Sequence, residues 1–226
     1  MTRDARLRSL HQRGSLVARP RLFALLAELR PVTLISAPAG YGKTVLVESW
    51  LATRPEPHLW LALSERHREP GRFLADLSAA ARPLPAPGTA TGATNSVDAQ
   101  MPIGQLLGTL NSLPPYTIVV LDSYQVLDRS ETEALISRLL QRLPRTLRLV
   151  LITRRNPQPA LNSLRAHGML TEVRTNALRF TKGETAALLA QTPGAPSDDA
   201  TVARLLEATE GWITGMLLAI PHLRDR

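Results

Sequence analysis

Residues 37 to 44 read Ala-Pro-Ala-Gly-Tyr-Gly-Lys-Thr. Gly42, Lys43 and Thr44 fill the last three places of the pattern G-x-x-x-x-G-K-S/T, and Ala37 stands where the first glycine would be. The chemistry this spacing suits is the holding of a polyphosphate. Gly40 and Gly42 let the backbone come close to a ligand in conformations that a side chain would forbid. The first amides of a helix beginning at this point have no internal partner and sit at the positive end of its dipole. Lys43 would reach the β- and γ-phosphates, and the Thr44 hydroxyl could ligate magnesium. The candidate phosphate-binding residues are therefore Ala39, Gly40, Tyr41, Gly42, Lys43, Thr44 and Val45. Nearly all other basic residues are arginine, the only other lysine being Lys182. A compact ammonium thus stands at the one place where it would sit between phosphates.

A magnesium-bound phosphate also wants a carboxylate at the end of a neighbouring apolar strand. Thr117-Ile118-Val119-Val120-Leu121-Asp122 has that form and makes Asp122, with Thr44, the candidate metal pair. Many ATPases of this kind place a second acid next to the first to orient the attacking water. This chain has Ser123, and no acid follows until Asp128. Binding is expected, and hydrolysis is expected to be slow or absent, with no catalytic residue assigned. Arg154 and Arg155 close the next apolar strand, at the edge where a nucleotide lies in such sheets. Either could contact a γ-phosphate, or the two could be an exposed pair in an arginine-rich chain.

The elements that must carry these residues alternate. Val32 to Ser36 reads as a buried strand running into the glycine loop, and Thr44 to Ala52 as the helix after it. Further strands are expected at 58–63, 117–121, 147–153 and 170–174. Helical spacing is expected from Phe73, through Leu106 to Leu113, and over 131–143. Alternation of this kind predicts an α/β fold, a phosphate-loop NTPase with a central parallel five-stranded sheet flanked by helices. From Thr181 onward helices dominate, at 183–191, 198–210 and 212–223. Thr181 with Glu184 forms an expected capping box, and Ser197 is expected to start the next helix. The expected organisation is an arginine-rich flexible segment over 1–15, a nucleotide-binding domain over 16–180 with a mobile loop at 82–100, and a small helical lid over 181–226.

The 226-residue chain has no cysteine, which excludes disulfides, thiolate metal sites and cysteine nucleophiles. No apolar run is long enough for a membrane span and no secretory signal is visible, so a cytoplasmic location is expected. The net charge is +8, but the arginines are spread, without interleaved aromatics or a recognition-helix pattern. No DNA-binding motif is identified. From the residues alone two alternatives stay open beside a nucleotide-binding module with slow or absent hydrolysis. One is an active phosphate-loop ATPase or kinase on an unidentified substrate, and the other a nucleic-acid-binding protein with secondary nucleotide binding.

Several segments together carry a more specific resemblance: Leu16 to Leu22 (LVARPRL), the loop APAGYGKT, LDSYQVL around Asp122, ITRRNPQPALNSLRAHGMLTEVRTNALRFT, and TEGWITGMLLA from Thr209 to Ala219. In this order they resemble the nucleotide-binding (NB-ARC/AAA-like) module of the MalT-like, LuxR-type transcription regulators, which lie in the STAND class of signal-transduction ATPases. The likeness runs from about Leu16 to Ala219, with 82–100 poorly covered. It implies an ATP/ADP switch with magnesium, in which ADP holds a resting form and ATP favours a self-associating homo-oligomer. It also implies that Arg19 and Pro20 lie near the nucleotide, that Asp122 is the magnesium carboxylate, that Arg154 senses the γ-phosphate, and that Gly211 and Trp212 belong to a lid segment near adenine. Two departures are visible. The family usually has two adjacent acids followed by Tyr-His, where this chain has Asp122-Ser123-Tyr124-Gln125. The chain also ends at Arg226, before the winged-helix, sensor and helix-turn-helix parts such regulators carry, so an excised module or a naturally short relative is expected.

Overall fold

The computed structural model of the protein describes residues 17–28, 30–81, 102–144, 146–155 and 158–223. The expected segment 1–15 and loop 82–100 lie outside them. Five strands form one parallel sheet: β1 (Val32–Ser36), β2 (His58–Ala62), β3 (Ile118–Asp122), β4 (Arg148–Thr153) and β5 (Leu170–Arg174), in the order β2-β3-β4-β1-β5. In register, Asp122 lies beside Ala62 on one side and Ile152 on the other. Parallel strands linked through helices are covered on both faces, so their interiors must be apolar throughout. Accordingly, Ile118 to Leu121 and Leu149 to Thr153 are buried without a break. β2, at the sheet edge, instead alternates, with Leu59 and Leu61 buried and His58 and Ala62 exposed.

The helices are α1 (Pro20–Ala27), α2 (Lys43–Leu51), α3 (Pro70–Ala81), α4 (Pro102–Asn111), α5 (Glu131–Leu140), α6 (Gln158–Ala166), α7 (Thr175–Leu178), α8 (Lys182–Ala190), α9 (Asp199–Thr209) and α10 (Ile213–Ala219). The expected strands and long helices match these to within a few residues. α1 and α6 were not legible from periodicity. Each presents only two buried leucines along its length, Leu22 with Leu26 and Leu161 with Leu164, too short a repeat to stand out. The helix start expected at Ser197 is corrected by one residue: Asp198 is the cap, and its carboxylate accepts from the Thr201 amide at 2.9 Å.

The chain divides into two compact units. The described residues within Leu29–Ile35 and Pro55–Glu172 make one, built around Val32, Leu34, Leu59, Leu61, Phe73, Leu77, Leu106, Val119, Leu121, Ile136, Leu149 and Leu151. The other comprises the described residues up to Glu28, Ser36–Arg54 and Val173 onward. Part of its core is Phe180, Leu188, Leu189, Val202, Leu205, Met216 and Ile220, drawn from the C-terminal helices. The glycine loop and α2 therefore share a compact unit with residues more than a hundred positions downstream.

Candidate nucleotide-binding site

The loop between β1 and α2 has the backbone its sequence asks for. Gly42 is the N-cap of α2 and lies in the left-handed region at φ 72°, and Gly40 is also left-handed at φ 80°. Ala37 is not among the residues with positive φ, so the place where the pattern has glycine carries no conformational demand for one. Its side chain is buried, which an alanine tolerates. Gly42 offers no side chain to cap the helix, and no acid occupies the first turn of α2. Its opening amides thus remain suited to an anion. No residue of the helix is exposed: Lys43, Leu46, Val47, Glu48, Trp50 and Leu51 are buried, and Thr44, Val45 and Ser49 are half-buried. That is why its sequence lacks a clean polar face.

Lys43 is itself largely buried, and its ammonium donates to the carbonyls of Ala37 and Pro38, each at 2.7 Å. The lysine therefore braces the turn from which it projects. From downstream, the Trp212 indole N–H donates to the Ala39 carbonyl at 3.2 Å. The Gly40 carbonyl accepts from the Thr214 hydroxyl at 3.0 Å and from the Thr214 amide at 3.3 Å. A Cβ built on Gly40 would lie 2.6 Å from both the Thr214 hydroxyl oxygen and the Trp212 ring nitrogen, so this loop is packed to contact. Gly211 has a different constraint: at φ 77°, its added Cβ would meet the Phe180 backbone at 2.8 Å. Sequence reasoning missed Thr214, because a threonine in a helix's first turn carries no signal of which carbonyl its hydroxyl will find.

In the same unit Arg19 precedes α1 and Pro20 opens it, a position proline favours because its missing N–H would be unpaired there. The Arg19 guanidinium is buried, stacks 4.5 Å over the Phe180 ring and donates to Glu184 and to the carbonyls of Leu178 and Arg179. Arg21 donates to both oxygens of the same Glu184. Glu184 simultaneously completes the capping box with Thr181, as the sequence indicated. Burial works to raise the Glu184 pKa. The hydrogen bonds from Arg21, Arg19 and the Thr181 amide outweigh it and hold the carboxyl below its usual range. Burial lowers the Arg19 pKa, with Glu184 acting in opposition.

The other candidates lie in the second unit. Asp122 ends β3, its carbonyl accepting from the Leu63 amide at 2.9 Å. Ser123 follows in the left-handed region, at φ 65°, and caps the short 3-10 turn from Tyr124 to Leu127. Gln125 reaches back from this turn: its side-chain oxygen accepts from the Arg154 amide at 3.0 Å. The Arg154 side chain is exposed. Arg155 stands 3.8 Å from Asp128. The turn after β3 is thus tied to the end of β4, and Gln125 is a second residue whose role sequence reasoning did not foresee.

A parallel sheet with a glycine-lysine-threonine loop between its β1 and α2, followed by a helical C-terminal region, defines a phosphate-loop nucleoside-triphosphatase module of the AAA/STAND type, a fold that implies nucleotide binding. Solved structures agree on the fold. A Walker-type ATPase of Pyrococcus abyssi superposes with a TM-score of 0.59 at 15% identity, covering 93% of this chain and 68% of that one. The STAND protein with a tetratricopeptide repeat sensor from Pyrococcus horikoshii gives 0.55 at 15% identity, covering 88% and 28%. In sequence, the HTH-type transcriptional regulator MalT of Cronobacter sakazakii is 31% identical over 215 residues, which is 89% of this chain and 23% of that protein. No protein-family model matches the chain. The chain thus has the phosphate-loop fold of STAND/AAA-type modules and is similar in sequence to the MalT regulators, of whose length it spans about a quarter.

Proposed function

We propose that this module is an ATP/ADP-binding switch that hydrolyses slowly or not at all. The observation that carries the reading is the left-handed Gly42 opening an uncapped α2, directly followed by the buried Lys43. Phosphates would take the loop amides from Ala39 to Val45, and the Lys43 ammonium would exchange its loop carbonyls for phosphate oxygens. Thr44 and Asp122 are the residues that would hold magnesium. A hydroxyl and one carboxylate are the set this ion takes when phosphates and water supply its remaining ligands. Bound magnesium would neutralise charge on the β- and γ-phosphates. Arg154 is assigned to sensing the γ-phosphate, and Arg19, Pro20, Gly211 and Trp212 to the adenosine side, by likeness to the family. Slow hydrolysis is supported by Ser123, whose hydroxyl cannot act as a carboxylate base at the pH of the cell. ATP-dependent self-association is proposed from the family resemblance, and a role in transcription control from the likeness to MalT.

Titration with fluorescent ATP and ADP analogues tests the reading, with phosphate release followed alongside. The wild type is expected to bind both nucleotides, and Lys43→Ala to weaken binding on the order of tenfold or more, as loss of a charge-assisted contact does. Equal affinity in the variant would remove the proposal. Fast, Lys43-dependent phosphate release would replace the switch with an active ATPase.

A further inference from the structure

In the loop that precedes α2, each carbonyl from residue 37 to residue 40 accepts a hydrogen bond from a side chain. Lys43 donates to the first two, those of Ala37 and Pro38. Trp212 donates to Ala39, and Thr214 to Gly40. The two outer donors come from the start of α10, far along the chain. None of the peptide bonds of the described residues is cis. In a trans peptide the carbonyl of one residue and the N–H of the next lie in one plane and point in opposite directions. Fixing the Ala39 carbonyl therefore aims the Gly40 N–H, and fixing the Gly40 carbonyl aims the Tyr41 N–H. Both carbonyls are held toward α10, so both amides face away from it.

We propose that Trp212 and Thr214 are positioning residues for phosphate: by holding the Ala39 and Gly40 carbonyls they aim the Gly40 and Tyr41 amides at the polyphosphate of a bound nucleotide. The inference rests on the nucleotide-site reading and adds residues to it. Three features make the contact specific. Thr214 uses both its hydroxyl and its backbone amide on one oxygen, and that amide belongs to the first turn of α10, where helices leave donors unpaired. Gly40 admits no side chain, because a Cβ would fall 2.6 Å from both partners. Gly215, one turn on from Trp212, is similarly pressed, its added Cβ meeting the indole ring at 2.7 Å, so the ring is braced from behind. A loop with free carbonyls would sample peptide flips that turn oxygen toward the anion. Hydrogen-bonded carbonyls remove that alternative, which is how preorganisation strengthens binding. It also makes the affinity for phosphate depend on where α10 sits.

The experiment uses the whole chain, with ATP and inorganic tripolyphosphate as probes. Thr214→Val keeps the shape and loses the hydroxyl, Thr214→Ser keeps the hydroxyl, and Trp212→Phe removes the indole N–H. Thr214→Val is expected to weaken ATP and tripolyphosphate alike, by about three- to tenfold, the loss that follows from one neutral hydrogen bond, and Trp212→Phe to weaken tripolyphosphate by that factor and ATP by that factor or more. Thr214→Ser should bind as the wild type does. In nucleotide-free protein, the Tyr41 amide nitrogen resonance should move in Thr214→Val and return in Thr214→Ser, and the Gly40 resonance should move in Trp212→Phe. Unchanged affinities, or a serine variant as weak as the valine one, would overturn the proposal. Loss confined to ATP with tripolyphosphate unaffected in either variant would also overturn it, since Trp212 would then act only on the nucleoside and Thr214 would not orient the phosphate amides. If the wild type binds neither probe, the nucleotide reading itself falls, while the amide resonances still report whether α10 orients the loop.

Discussion

At the residue scale, two positions adjoining the proposed chemistry are set by backbone conformation. Ser123 occupies the left-handed region, where asparagine and aspartate are the best tolerated residues after glycine. The backbone at this place therefore accepts the acid that related pockets carry. Ser123→Asp is expected to fold with an unchanged melting temperature and to raise ATP turnover at least several-fold, measured as steady-state phosphate release. An unchanged rate would mean that Ser123 does not limit turnover. Gly40 is the opposite case. At φ 80°, with no room for a Cβ, Gly40→Ala combines backbone strain with a clash against Thr214 and Trp212. The expected cost is about 1–3 kcal/mol in chemical denaturation, together with loss of nucleotide binding. The glycine pattern marked Gly40 as a close-approach position, but which atoms approach it could not be read from the chain.

At the element scale, Glu184 joins the start of α1 and the residue before it to the helices after β5, since both Arg19 and Arg21 converge on it. Its carboxyl is depressed in the folded state, so it contributes stability that is complete above the ordinary carboxylate range. That contribution is lost as pH falls through the depressed folded value. The melting temperature is accordingly expected to fall on acidification below about pH 4.5, and less steeply in Glu184→Gln. At neutral pH the same variant should lose about 2–4 kcal/mol, because Arg19 stays charged and buried without its counter-ion. Parallel pH slopes for the two proteins would refute this assignment. The capping box of Thr181 and Glu184 was legible from spacing alone, because its partners are three residues apart. The convergence of two arginines from over 160 residues away was not.

For the whole molecule, the proposed ATP/ADP switch predicts that nucleotide state alters assembly. Light scattering of the chain with no nucleotide, with ADP and with a slowly hydrolysed ATP analogue is expected to give a larger mass only for the last. One mass in all three states would show that this module does not carry the assembly step. Among the described residues no helix is long and apolar enough to cross a membrane. The arginine-rich charge of +8 makes moderate salt advisable, since nonspecific contacts of a basic surface weaken steeply as salt rises.

The sequence by itself determined the parallel sheet, because strands buried on both faces must be written as unbroken apolar runs such as Ile118 to Leu121. It determined the phosphate loop, because left-handed turns at Gly40 and Gly42 and an uncapped helix start are demands on neighbouring residues. Only the tertiary structure decided what holds that loop. The Ala39 and Gly40 carbonyls take their donors from Trp212 and Thr214. Arg19 is turned onto Phe180 and Glu184, and Gln125 onto the Arg154 amide. Hydrogen bonds between residues distant in the chain leave no periodicity behind. Any donor of suitable reach can serve, and folding alone selects which one does.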